Sequence, residues 1–320
     1  MSKIAIAIHG GASSASKRDY EKEEAYKKSL KEIVESSYKI LEEGGTAIDA
    51  VEHAVRLLED DPLFNAGRGS GLNCNGEVEM DAAIMDGRKR DAGAVSALRH
   101  VKNPITLART IMERTEHVLL SADGAEEYAI EVGMEMQPRK YFITPERYKS
   151  WADGKEEEAE KKLEKADEQK NGREKSRKIK EKGYGTVGAV AIDKDGNLAS
   201  ATSTGGTPSK MCGRVGDSPV IGAGTYANNE TCAVSCTGDG EYFIKTCAAY
   251  DVSCLLEYKG LSLKEAADEV ILKKVKKMGG EGGLIAIDKD GNVAMPYNCE
   301  KMSRACKTSE GEMVVAVFEE

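Results

Sequence analysis

Histidine is scarce in this chain, and all four residues, His9, His53, His100 and His117, fall in its first 117 positions. A Ser-His-Asp or Cys-His centre would have to draw on one of them, and no G-x-S-x-G elbow accompanies them. His53 sits inside a helical pattern and reads as a packed or surface side chain. H-E-x-x-H, C-x-x-C and a Walker phosphate loop are also missing, which removes the usual signatures of zinc hydrolases, redox dithiols and P-loop nucleotide enzymes. Gly67-Arg-Gly-Ser-Gly71 is rich enough in glycine for a nucleotide loop but lacks the G-x-G-x-x-G spacing. No apolar run approaches a membrane span, and the stretch at 4–8 is too short for a signal-peptide core, so a cytoplasmic location is expected. Lys and Arg are interleaved with acids in a chain of net charge −9, which leaves no basic stripe for nucleic acid. The eight cysteines show no paired spacing and are expected to be reduced and mostly buried.

What is present is a globular pattern, 40% hydrophobic. Residues 4–8 read as a buried strand running into a glycine turn at Gly10-Gly11. The 3.6-residue period over 20–41 predicts a helix stopped by Gly44-Gly45, and 46–59 a second helix capped by Thr46. A turn at Asp61-Pro62, a glycine-rich loop at 65–76 and a short strand at 77–84 follow. Pro104 opens a helix within the less regular 92–114. Between 149 and 182 the composition turns to Glu, Lys, Asp and Arg, which cannot bury a core and predicts a mobile linker or a solvated helix. Beyond it, Gly188-Ala-Val-Ala-Ile-Asp-Lys-Asp-Gly-Asn-Leu-Ala199 and Gly283-Leu-Ile-Ala-Ile-Asp-Lys-Asp-Gly-Asn-Val-Ala294 read as two hairpins with Asp-Gly turns. Helices at 241–259 and 262–277 suggest sheets covered by helices.

Gly185-Thr186 stands where the charged segment gives way to an apolar strand. A threonine hydroxyl is a weak nucleophile, but a threonine at a new N-terminus carries its own base, an α-amine of pKa about 7.7–8.0. Taken alone, the pair reads as a β-branched residue opening a strand. Three blocks downstream supply what a nucleophile needs. Thr202-Ser-Thr-Gly-Gly206 offers Thr204 as a hydrogen-bond partner, or is a plain turn. Gly213-Arg-Val-Gly-Asp-Ser-Pro219 sets Arg214 and Asp217 on a tight loop. A guanidinium fork matches a carboxylate and an aspartate accepts from an ammonium, which fits an α-amino acid head group. The alternative is a local salt bridge worth about 0–1 kcal/mol. Thr237-Gly-Asp-Gly-Glu241 offers N–H groups or the Thr237 hydroxyl to a developing oxyanion, or is an ordinary glycine turn.

In this order the blocks are specific, and the chain resembles the plant-type L-asparaginase/isoaspartyl aminopeptidase family of N-terminal-nucleophile hydrolases. The resemblance runs from His9-Gly-Gly-Ala12 through Leu58-Glu-Asp-Asp-Pro-Leu-Phe-Asn-Ala-Gly-Arg-Gly-Ser70 and Gly185-Thr-Val-Gly188 to Thr237-Gly-Asp-Gly240. It implies an α+β fold, a four-layer αββα sandwich made as a precursor that cleaves itself between Gly185 and Thr186. The products are an α part, 1–185, that includes the charged linker at 149–185, and a β part, 186–320, together forming one domain. Thr186 then attacks the side-chain amide of asparagine or the isopeptide carbonyl of a β-aspartyl dipeptide, and water releases aspartate.

By the same resemblance Thr204 supports Thr186, Thr237 with Gly238 forms the oxyanion site, and Asn65 lies by the scissile bond and the nucleophile. Arg214 holds the substrate carboxylate and Asp217 its ammonium, with Gly238 and Gly240 beside the substrate. The loop bearing Leu58, Glu59, Asp61, Phe64, Ala66 and Arg68 matches the family's sodium-binding stretch, whose ligands are mainly backbone carbonyls. No cofactor for the chemistry is implied. The expected partners are small-molecule substrates and a second αβ unit in a homodimer, with no nucleic acid and no membrane. Asp239 departs from the histidine found in some members and bears on substrate preference rather than mechanism. A glycosylasparaginase-like amidase, a taspase-like endopeptidase and an uncleaved protein binding aspartyl metabolites are the competing readings.

Overall fold

The first strand has two apolar faces and must be covered on both. In β1 (Ala5–Ser13), Ile6 and Ile8, with Ile4 just before them, enter one hydrophobic cluster, and Ala5 and Ala7 enter another. This is the two-residue period of a strand. The computed structural model, which describes residues 3–170, 185–311 and 313–319, places helices over the isoleucine face and a second sheet over the alanine face.

After β1 come α1 (Lys17–Glu21), α2 (Glu23–Glu42), α3 (Ala47–Asp60), β2 (Met80–Asp86), β3 (Asp91–Leu98), α4 (Pro104–Arg114), β4 (Leu119–Ser121), α5 (Ala122–Glu131), α6 (Arg139–Phe142) and α7 (Pro145–Lys170). Beyond the undescribed stretch follow β5 (Val187–Ile192), β6 (Leu198–Thr204), β7 (Thr225–Ala227), β8 (Cys232–Gly238), α8 (Gly240–Thr246), α9 (Ala248–Lys259), α10 (Leu263–Asp268), β9 (Gly282–Asp288), β10 (Val293–Ala294), β11 (Lys301–Thr308) and β12 (Met313–Ala316). An eight-stranded sheet runs β12-β11-β1-β5-β6-β2-β3-β4, antiparallel but for the β3–β4 pair, and a four-stranded sheet runs β10-β9-β8-β7. α2, α3 and α4 cover the large sheet, α9 and α10 the small one, and β1, β5 and β6 face β8 and β9. The architecture is the expected αββα sandwich, and strands from both sides of Thr186 alternate in the large sheet.

Several expected elements are divided or moved. The helix at 20–41 is two helices broken at Lys22, and α2 ends before Gly44, whose φ is +91°. Thr46 caps α3 as expected, its side chain accepting from Asp49 N at 3.2 Å. The strand expected at 77–84 is β2, displaced toward the C-terminus, and 92–114 resolves into β3 and α4 with Pro104 in the first helical turn. The helix at 241–259 is interrupted at Cys247, which adopts the left-handed conformation. The helix at 262–277 becomes α10 followed by a π-helical stretch, Glu269–Val275. The charged segment is helical as far as Lys170, and the remainder of the expected linker, 171–184, lies outside the described residues. The two similar hairpins do form, but in different sheets, β5–β6 in the large one and β9–β10 in the small one. The expectation of mostly buried cysteines is corrected. Only Cys232, Cys236 and Cys306 are buried, because the others sit in loops, at a helix cap or on partly exposed surfaces rather than inside strands.

Leu30 of α2 is fully enclosed in the cluster between the helices and the large sheet. Leu30→Ala is expected to lower stability by about 2–5 kcal/mol, read as a lower urea midpoint at unchanged denaturant slope.

Candidate active site

Thr186 immediately precedes β5 and is buried. Antiparallel pairing sets Val187 opposite Ser203, which brings Thr204, at the end of β6, beside Thr186. The Thr186 hydroxyl donates to Thr204 Oγ1 at 3.2 Å, and Gly206 N donates to the same Thr204 oxygen at 3.0 Å, fixing it. From the facing sheet, Thr237 Oγ1 accepts Thr186 N and Ala12 N, both at 3.1 Å. Both lone pairs of that hydroxyl are then used and its proton remains to be donated. Gly238 follows Thr237 at the end of β8. The expected trio of threonines therefore meets at one point, delivered by a neighbouring strand and an opposing sheet.

The bond between Gly185 and Thr186 passes against the end of β1. A Cβ on Gly185 would overlap the Cα of Gly11, and a Cβ on Gly11, whose φ is +109°, would overlap the Cα of Gly185. Two backbones can approach this closely only without side chains, so both glycines are required by contact.

His9, on β1, holds the other side of Thr186. It is fully buried, with Nδ1 2.9 Å from the Thr186 carbonyl oxygen and Nε2 3.0 Å from Ser235 Oγ. A carbonyl only accepts, so Nδ1 carries the proton, and the neutral ring's Nε2 accepts from Ser235. Thr202 Oγ1, 2.7 Å from Ser235 Oγ, and Thr225, donating to Thr202 at 2.7 Å, extend the chain of hydroxyls. Burial pushes the His9 pKa down to about 3, against the opposing hydrogen bond that Nδ1 donates to the Thr186 carbonyl, so the ring is neutral and acts as a support rather than a base. The only sequence signal for this role is His-Gly-Gly at the end of an apolar strand.

Asn65 binds the glycine turn after Thr204. Its Nδ2 donates to the Gly206 carbonyl at 2.8 Å, its Oδ1 accepts Gly71 N at 2.6 Å, and its own carbonyl accepts Gly205 N at 3.0 Å. The preceding loop, which carries Leu58, Glu59, Asp61, Phe64, Ala66 and Arg68, is rich in available oxygen. Pro62, four residues after Leu58, has no N–H, so the Leu58 carbonyl lacks its helical partner. The carbonyls of Pro62 and Phe64 crowd the Cα of Gly69, where a Cβ would lie 2.8 and 2.7 Å from them. Glu59 O accepts Arg68 N at 2.7 Å and Asp61 O accepts Phe64 N at 3.2 Å, each with a second lone pair to spare. This oxygen-only donor set fits a hard cation. The Glu59 side chain has a separate task. Its Oε1 accepts Ser203 Oγ at 2.7 Å and Ile105 N at 3.0 Å, and burial pushes its pKa up to about 8.

Arg214 and Asp217 lie together, but not as a pair. Arg214 Nε and one terminal nitrogen donate to the two oxygens of Glu241 at 2.9 and 3.0 Å. Asp217 is fully buried, its Oδ2 has no hydrogen-bond partner among the described residues, and burial, opposed by the Arg214 charge, pushes its pKa up to about 7. A Cβ on Gly240 would stand 2.8 Å from Asp217 Oδ1 and 3.0 Å from the Arg214 guanidinium, so that residue borders both groups. Asp217 is thus a buried carboxyl that lacks a donor for one oxygen, beside a guanidinium. Three further residues stand behind this turn that no sequence spacing indicated. Glu79 Oε2 accepts Gly213 N at 2.9 Å, and the buried Lys210 donates to Glu79 O at 2.7 Å and lies 4.0 Å from Asp81.

The chain is similar to known proteins over nearly its whole length. The chain matches the sequence profile described as asparaginase over residues 2–317. It is 49% identical to the isoaspartyl peptidase of Salmonella typhimurium, over 95% of each chain. With the isoaspartyl peptidase of Escherichia coli it shares 48%, over 95% of this chain and 93% of that one. With the probable isoaspartyl peptidase/L-asparaginase 2 of Arabidopsis thaliana it shares 43%, over 98% and 99%.

His9→Leu removes the His9 partner of the buried Thr186 carbonyl, while Ser235 keeps Thr202. The expected cost is about 1–3 kcal/mol for the orphaned carbonyl, and urea unfolding of the variant measures it.

Proposed function

We propose, from the premise that this chain belongs to the asparaginase family, that it hydrolyses L-asparagine and β-aspartyl (isoaspartyl) dipeptides to release aspartate, using Thr186 as an N-terminal nucleophile made by self-cleavage. The observation that carries this reading is the double tether of Thr186, hydroxyl to Thr204 and nitrogen to Thr237.

In the intact chain the nitrogen of Thr186 is an amide and no base. Self-cleavage begins when Thr186 Oγ1 adds to the Gly185 carbonyl carbon. The C–N bond breaks, the acyl group passes to oxygen, and water hydrolyses the ester to leave a free amine and the Gly185 carboxylate. The amine then takes the proton from Oγ1, with its pKa of about 7.7–8.0 suited to that exchange near neutral pH. The alkoxide adds to the side-chain carbonyl of the substrate, ammonia or an amino acid leaves with the proton, and water releases aspartate from the acyl-enzyme. Thr237 with Gly238 receives the oxyanion, a contribution of about 2.7–4 kcal/mol for one donor in comparable hydrolases. Arg214, held in place by Glu241, binds the substrate α-carboxylate and Asp217 its α-ammonium, which would give the buried Asp217 Oδ2 its missing donor. Gly240 leaves the space for that head group.

A sodium ion would be held by the main-chain oxygens of the loop containing Leu58, Glu59, Asp61, Phe64, Ala66 and Arg68, and would supply structural support rather than chemistry. Pairing of two αβ units accompanies this reading from the family resemblance, and a cytoplasmic location from the short apolar stretch at 4–8. No helix among the described residues is long and apolar enough to cross a membrane.

Intact-protein mass spectrometry after incubation at neutral pH is expected to show fragments ending at Gly185 and beginning at Thr186. The cleaved protein should release aspartate from asparagine and from a β-aspartyl dipeptide. Thr186→Ala should remain one chain and be inactive, and a hydrolytically active Thr186→Ala protein would overturn the mechanism. The pH profile tests the head-group site separately. Asp217 must be ionised to accept an ammonium, and its pKa is raised to about 7 in the free site. KM should therefore rise as pH drops through about 7, which separates the Asp217 titration from protonation of the Thr186 amine, whose loss as a base lowers kcat.

A further inference from the structure

The two halves of the chain meet at a pair of thiols. Leu72 O accepts Ser209 N and Cys74 N donates to Lys210 O, both at 2.8 Å, so the loop after the glycine-rich stretch runs alongside the segment leading to Arg214. At the end of this short ladder, Cys74 Sγ and Cys212 Sγ are 3.5 Å apart, close enough to share a thiol proton. Cys212 is exposed and Cys74 half-buried, so the pair is open to a dissolved reagent. Cys212 also occupies the turn closed by Arg214 N donating to Met211 O at 3.0 Å, in which Gly213 has a φ of +77°. The turn is anchored from below by Gly213 N donating to Glu79 Oε2 at 2.9 Å. Cys74 precedes Gly185 and Cys212 follows Thr186, so a bond between these sulfurs would join the two sides of the scissile peptide.

We propose that Cys74 and Cys212 form a reversible disulfide, a modification site that links the two halves covalently and clamps the turn presenting Arg214. The oxidant is a small-molecule disulfide such as glutathione disulfide. The Cys212 thiolate attacks one of its sulfurs, the S–S bond breaks, and one glutathione thiolate leaves. The Cys74 thiolate then attacks Cys212 Sγ in the mixed disulfide and displaces the second glutathione. The protein loses two electrons, glutathione disulfide gains them, and the two cysteine protons end on two glutathione thiols. The sulfurs must close from 3.5 Å to a bonded separation of about 2.05 Å. The backbone ladder already holds the two loops together, so the movement falls to two side chains and the glycine-containing turn. In a reducing compartment the pair stays as thiols, and the bond reports an oxidising one.

The site does not depend on the proposed self-cleavage, and its test works on cleaved or intact chain. The purified full-length protein is incubated with glutathione disulfide, alkylated and digested, and bridged peptides are sought by mass spectrometry. The expected result is a cross-linked pair carrying Cys74 and Cys212, a mass lower by about 2 Da for the two hydrogens lost, and reversal by dithiothreitol. Thiol titration of the denatured protein should fall from eight groups to six, and Cys74→Ser or Cys212→Ser should each abolish the bridge. In cleaved protein the bridge should make the two fragments migrate as one species on a non-reducing gel. Glutathione left as separate adducts on the two cysteines, or a bridge formed through any other cysteine, would overturn the proposal. Failure of self-cleavage with the bridge still formed would count only against the nucleophile reading.

Discussion

The hydrogen bond from Thr186 N to Thr237 Oγ1 crosses from the large sheet to the small one, and most of the site geometry depends on that crossing. It requires the sheets to pack closely, which the small inward-facing side chains of β1 permit. The same hydroxyl accepts Ala12 N, so β1, the segment opening β5, and β8 are pinned at one atom. On the opposite side of Thr186, His9 fixes the carbonyl and Thr204 fixes the hydroxyl. Every polar atom of the residue therefore has an assigned partner from a different strand. Pre-organisation of this kind is what the proposed nucleophile, a weak hydroxyl, needs, because the surrounding groups are placed before the reaction begins.

Around that point the fold places its polar groups where water cannot easily serve them. His9 is kept neutral by burial, which suits a residue that must donate from one nitrogen and accept at the other. Glu59, whose pKa burial raises, ties the carbonyl-rich loop to Ser203, the neighbour of Thr204. Asp217 is different, since one of its oxygens has no partner among the described residues. An unpaired buried carboxyl costs stability, and its position beside the Arg214 guanidinium, with glycine at 240, makes a charged head group the natural partner. Stability given up there is consistent with a site that is completed by its ligand.

Local patterns in the amino-acid sequence indicated many of the elements, whereas the four-layer order followed from the family resemblance. Alternation in residues 4–8, the capped helix after Thr46 and the Asp-Gly hairpins are local patterns, and the elements they indicate are present. Thr186, Thr204, Thr237, Arg214 and Asp217 stand out in the sequence because short glycine-framed blocks surround them. Breaks such as Lys22 and Cys247 were not legible, since neither carries a local signal of proline or glycine and the hydrophobic period continues across them. The burial of the cysteines was misjudged for a related reason, because burial of a residue in a loop is set by which other segment lies over it.

By itself, then, the sequence determined the apolar periodicities of individual strands and helices and the short glycine-framed blocks that carry the family resemblance, each encoded within a few neighbouring positions. Only the tertiary structure decided that His9 supports the Thr186 carbonyl, that Gly11 lies against Gly185, that Glu241 rather than Asp217 pairs with Arg214, and that Cys74 meets Cys212. Each of these contacts joins residues distant in the chain. Their pairing follows from strand register and from the packing of one sheet on the other, which no spacing along the sequence records.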